Sequence, residues 1–156
     1  MSFRTCGLLL SLLLAVGCAS TKATFEVAVK NATSEPISVG LVKIGGSVEP
    51  GWDGPEHVAM HAPMLADRKW GTLIEPGAVA TLGPQSGRFV QGERAVLRVY
   101  AADATVDELM GYSQRDSARL DINLWPGSSG YVIERDIAEL KYRPVQLTPV
   151  PATAQR

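Results

Sequence analysis

Two histidines, His57 and His61, stand four residues apart, a spacing that places both imidazoles on one face of a helix. Met60 and Met64 lie beside them, and Glu56 precedes them. Imidazole combined with thioether sulfur suits copper, because soft ligands select Cu(I), so His57, His61 and Met60 form a candidate metal set. The plainer reading is a short surface helix that packs Val58 and Met60 and leaves both imidazoles in water. Pro63 separates His61 from Met64, so Met64 need not continue that face. The segment lacks a glutamate directly after the first histidine, the general base of zinc proteases. That reading is excluded.

Tryptophans supply a second kind of chemistry. Trp52 and Trp125 fall in Gly- and Pro-rich segments that read as loops, where exposed indoles could stack on sugar rings. With Trp70, they could equally close the ends of a core. Nucleophilic catalysis finds no support: no serine lies in a Gly-x-Ser-x-Gly elbow, and Cys18 is the only thiol candidate. Asp103, Asp107 and Glu108 could pair as acid and base, but acidic residues around a short helix usually cap it and face solvent. No phosphate loop or dinucleotide fingerprint occurs. The expectation is a protein that is not an enzyme, with metal (copper) or carbohydrate binding as the alternative.

Cys18 carries the sharper signal. Arg4 is the only charge before Lys22, and a leucine-rich run of nine residues, 8–16, lies between them. A bilayer-spanning helix needs about 20 apolar residues, so the run has the layout of a secretory signal peptide instead. Its end, Ala15-Val16-Gly17-Cys18, resembles the lipobox of bacterial lipoproteins, with Ala15 where leucine is common. The resemblance implies cleavage before Cys18, covalent acyl chains on that residue, and no further cofactor. It implies attachment to membrane lipid in the cell envelope, with an envelope protein as a partner. In Gram-negative lipoproteins an Asp after the cysteine favours inner-membrane retention; Ala19 here implies the outer membrane. Cys6 would leave with the signal, so the exported chain would have one cysteine and no internal disulfide.

Composition bounds the rest. The 156 residues suffice for one domain, and at 46% hydrophobic and 20% charged the chain is not a disordered polyelectrolyte. Fifteen basic side chains against sixteen acidic ones give a net charge of −1, which excludes a basic nucleic-acid binder.

The elements that would position these residues are mostly strands. Phe25, Val27 and Val29 alternate, residues 31–36 are turn formers, and Ile37, Val39 and Leu41 alternate again before Val42 and Ile44 change parity. That change predicts a bulge near Leu41 or an end buried on both faces. Further strands are expected over 72–74, 78–82, 94–100, 119–124 (Leu120, Ile122 and Leu124 inward), 131–134 and 140–143. Short helices are expected at 53–61 and 103–111. Asn31-Ala32-Thr33 matches a glycosylation sequon that would be idle in a bacterial exported protein.

These segments predict an all-β fold: an antiparallel β-sandwich of seven or eight strands with one or two short helices. Residues 27–39 look like the opening hairpin of immunoglobulin-like domains, and residues 124–131 resemble their strand–corner–strand segment that carries a tyrosine. The chain then divides into a lipoprotein signal peptide (1–17), lipidated Cys18 with a short tether (18–24), an immunoglobulin-like sandwich (25–143) and a flexible Pro-containing tail (144–156).

Overall fold

The structure, a computed structural model, describes residues 20–46, 49–101, 103–112, 119–136 and 141–147. Cys6, the leucine-rich run and Cys18 lie outside those residues. The described chain forms eight strands: β1 (Thr21–Asn31), β2 (Ile37–Ile44), β3 (Thr72–Ile74), β4 (Val79–Phe89), β5 (Arg94–Tyr100), β6 (Arg119–Asn123), β7 (Gly127–Asp136) and β8 (Lys141–Leu147). Two seven-residue helices, α1 (Pro55–His61) and α2 (Val106–Tyr112), interrupt them. Neither helix is long and apolar enough to cross a membrane.

One sheet has the order β4-β1-β7-β8 and the other β3-β2-β5-β6. All pairings are antiparallel except β1 with β7, which run parallel. The expected β-sandwich is thus present, with one parallel pair added. Its strand order follows the immunoglobulin pattern: β1, β2, β3, β4, β5 and β6 take the places of B, C, C′, E, F and G. The β7–β8 hairpin fills the place of strand A.

Three sequence expectations change at this level. β1 and β2 do not form a hairpin; they belong to different sheets, and the turn between them crosses the sandwich. Buried Asn31 builds that crossing. Its Nδ2 donates to the carbonyls of Glu35 (2.8 Å) and Ile74 (2.9 Å), and its Oδ1 accepts from the backbone and hydroxyl of Thr33. Tyr131 is no corner residue either: it lies within β7, opposite Val29 of β1, in the core. Finally, the sandwich is longer than 25–143. Residues 21–24 pair with residues 86–89, and β8 continues through Leu147. The tether thus gives up residues 21–24 to β1, and the tail gives up residues 144–147 to β8.

β4 also runs past its expected end at Leu82. Gly83-Pro84 interrupts the register opposite Glu26, and pairing resumes at Gln85 with Phe25. Proline is tolerated there because β4 is an edge strand.

The core has two compartments. Phe25, Val27, Val29, Ile37, Val39, Leu41, Leu97, Val99 and Ile133 fill the space between the sheets. Outside the second sheet, Val42, Val96, Tyr100, Trp70, Val106 and Leu109 form another cluster beneath α1 and α2. This explains the parity change in β2. Its register against β5 is unbroken from Ser38 to Ile44, so there is no bulge; both faces are covered. Gly40 permits the contact, since a Cβ there would sit 2.7 Å from the Trp70 ring.

Candidate functional site

Chemistry-bearing groups gather in three places. The first is one end of the sandwich, where β1 starts, β4 and β6 finish and β5 begins. A cleft of about 400 Å³ opens there, lined mainly by apolar groups that include Ala23, Phe25, Phe89, Leu124, Trp125 and Pro126. Two of its lining residues, Phe25 and Phe89, form an aromatic triad with Trp52 behind them, the rings meeting edge-to-face at centroid distances of 5.4–5.6 Å. Trp52 is 1% exposed and its Nε1 donates to the Ser86 carbonyl, so it belongs to the core and offers no stacking face for a sugar. Trp125 is 83% exposed at the cleft rim. The paired-tryptophan platform is therefore corrected to a single exposed indole.

Beside the triad, Lys43 is buried, with its ammonium 5.3 Å from the Phe89 ring centre. It donates to Glu49 Oε1 (3.2 Å) and the Arg88 carbonyl (2.7 Å), and Glu93 Oε2 lies 2.9 Å away. Burial pulls its pKa down, but the hydrogen bonds to Glu93 and Glu49 outweigh burial and raise it above the ordinary lysine value. Three acceptors match three N–H donors, so the charge is held in place with none left for a ligand.

The second place lies over the outer face of β5, beneath α1. Arg98, 4% exposed, makes a bidentate pair with Asp121 (2.8 and 2.9 Å) and reaches Glu56 Oε2 at 2.7 Å. Arg119 closes the ring, donating to Glu56 Oε1 (2.9 Å) and Asp121 Oδ2 (2.6 Å). Burial pushes Asp121 up, yet hydrogen bonds from Arg98 and Arg119 outweigh it and hold the carboxyl below its ordinary value. A general acid needs the opposite shift. Tyr100, from the same strand face, is pushed up to about 12 by burial, then by the Glu56 charge. Its phenol therefore stays protonated at neutral pH.

The third place is α1 itself. The rings of His57 and His61 stack at 5.9 Å beside an open basin that Gly46, Pro50 and Asp53 also line. Met60 is 64% exposed and Met64 more so, while Glu56 is committed to the arginine ring. Among the described residues, no group of three or more His, Cys, Asp or Glu side chains assembles a metal site. His57 and His61 share a helix face as the spacing predicts, but no third ligand of those types joins them.

The acidic run near α2 is structural. Glu108 accepts from the Thr105 backbone (2.7 Å), and Thr105 Oγ1 accepts from the Glu108 backbone, a reciprocal capping box. The bond from the Thr105 amide holds the Glu108 carboxyl below its ordinary value. Asp103 pairs with Lys69.

No family model, curated protein or solved structure matches the chain. The cleft, the Lys43 cluster and the arginine ring were all missed in the sequence. A signal was available: Lys43 and Arg98 each stand directly between two apolar neighbours within a strand, Val42 and Ile44 for the one and Leu97 and Val99 for the other. A lone cation in such a run implies a buried partner.

Proposed function

We propose that the protein is a lipid-anchored component of the cell envelope whose sandwich serves as a non-enzymatic structural, accessory or binding module. The carrying observation joins sequence and fold: β1 begins at Thr21, three residues after the cysteine that closes a lipobox-like segment. Such a short connection spans about 10 Å at most, so acyl chains on Cys18 would hold the first strand at the membrane surface. Two or more chains give stable attachment where one does not. The Ala at position 19 favours outer-membrane delivery in a Gram-negative host. The non-enzymatic reading draws support from the charged groups: Asp121, Glu49 and Glu108 are all held as anions, and Lys43 as a cation.

Metabolic labelling with radioactive palmitate in a Gram-negative host tests the anchor. The wild-type chain should take up label and sediment with membranes, and Cys18→Ala should lose both properties. Label retained without Cys18 would overturn the assignment.

A further inference from the structure

The cleft end of the sandwich combines features that its apolar lining alone does not explain. Trp125 and Pro126 are exposed there beside the apolar walls. Three cations lie at this end of the sandwich. Arg94 lines the cleft, while Lys22 and Arg88 stand directly opposite each other across β1 and β4, on the outer face of that sheet. All three are exposed, and among the described residues none has an acidic side chain within salt-bridge reach. Like charges directly opposite on a sheet repel, so the Lys22–Arg88 pair is unfavourable without an anionic partner. Glu49 and Glu93, the latter also lining the cleft, share the single charge of buried Lys43, so Lys22, Arg88, Arg94 and Lys43 leave this end net positive against two carboxylates.

Thr21, the first residue of β1, lines this same cleft. The described chain thus begins at the cleft rim, and Cys18 precedes Thr21 by three residues in the sequence. Resting on the lipid-anchor reading above, the geometry points to this end as a membrane-seating surface. Its occupant is the anionic headgroup region of the bilayer, with the Trp125 ring placed at the interface and Lys22, Arg88 and Arg94 facing lipid phosphates. Indole favours that depth because its ring is apolar and its N–H needs a polar partner. Basic side chains near an anionic leaflet add attraction that salt screens. The seat fixes the orientation of the domain: the start of β1 and the ends of β4 and β6 face lipid, and the β1–β2 crossing lies at the opposite end of β1.

Tryptophan fluorescence of the full-length palmitoylated protein, reconstituted into phosphatidylethanolamine–phosphatidylglycerol vesicles, provides the test. Part of the lipid carries bromine near the headgroup end of its acyl chains. Trp52 and Trp70 are buried and serve as the unquenched background. Brominated lipid should quench the Trp125 emission, and Trp125→Phe should lose that quenching while keeping the native circular dichroism spectrum. The combined Lys22→Glu and Arg94→Glu variant should lose most of it in these vesicles. Emission that bromine leaves unchanged in the palmitoylated protein overturns the seat and leaves the anchor standing. So does Trp125 emission that is blue-shifted yet unquenched, which would place a polypeptide partner in the cleft. Absence of palmitate on Cys18 removes the anchor and the seat together.

Discussion

Arg98 concentrates the residue-scale argument. It sits between Leu97 and Val99 on a strand buried on both faces, and its guanidinium answers two carboxylates from different elements. Breaking a fully buried ion pair costs about 3–5 kcal/mol, but Glu56 and Asp121 are about a quarter exposed and keep Arg119 as a partner. Arg98→Met should therefore destabilise the domain by an amount at or below the low end of that range in urea denaturation. Arg119→Met should cost clearly less, because Arg119 is more exposed than Arg98 and water can replace it. Equal losses would mean that the ring acts as one indivisible unit. The sequence pointed elsewhere at this scale, toward His57, His61 and Met60. Helical spacing did place those imidazoles together, but spacing carries no information on what third group approaches from another element. Asn31 teaches the same lesson. As a sequence pattern it reads as a sequon; in the fold its amide is fully buried and ties three segments together.

Strand phasing separates two substitutions that sequence alone ranks together. Leu97 and Ile122 face each other in the β5–β6 register, and both carry the inward parity. Leu97 is completely buried on a central strand, whereas Ile122 is half-buried on edge strand β6. Leu97→Ala should cost about 2–5 kcal/mol, the usual range for a deeply buried aliphatic side chain. Ile122→Ala should fall at or below the low end of that range, as read from parallel thermal melts. A larger loss for Ile122 would show that β6 is better covered than its edge position implies. Period-two alternation thus predicted the inward faces of β1 (Phe25, Val27, Val29) and of residues 120–124 (Leu120, Ile122, Leu124), and both pack on the core between the sheets. It could not tell a central strand from an edge, because that depends on pairing between segments distant in sequence. Turn chemistry was equally local: residues 31–36 and 75–77 do turn, but each turn carries the chain into the other sheet. The Gly83-Pro84 break in β4 was read as an end for the same reason, since local punctuation does not reveal that pairing resumes beyond it.

At the scale of the whole molecule, the charges set a window of stability in pH. Asp121 is held below its ordinary 3.8 despite burial, and Glu49 and Glu108 below their ordinary 4.5. A carboxylate with a depressed folded value adds stability that is complete above its unfolded value and is lost as pH falls through the folded one. The acid limb should therefore begin near pH 4 and steepen below it. The alkaline limb has two sources of opposite chemistry and the same sign. Lys43 is raised above 10.5, so its ion pairs persist until pH passes that value and are then lost. Tyr100 is raised from 10.0 to about 12; between those values the unfolded chain ionises while the folded one stays neutral, and stability drains away. Tyr100 also gives this limb its decisive variant. Its hydroxyl is buried and has no hydrogen-bond partner among the described residues, so removing it strands nothing. Tyr100→Phe should leave stability at pH 7 unchanged or slightly improved and should make the decline between pH 10 and 12 shallower. Urea midpoints across that range, with tyrosinate absorbance followed in parallel, measure both effects. A marked loss at pH 7 would mean that the phenol holds a partner essential to the cluster beneath α1 and α2.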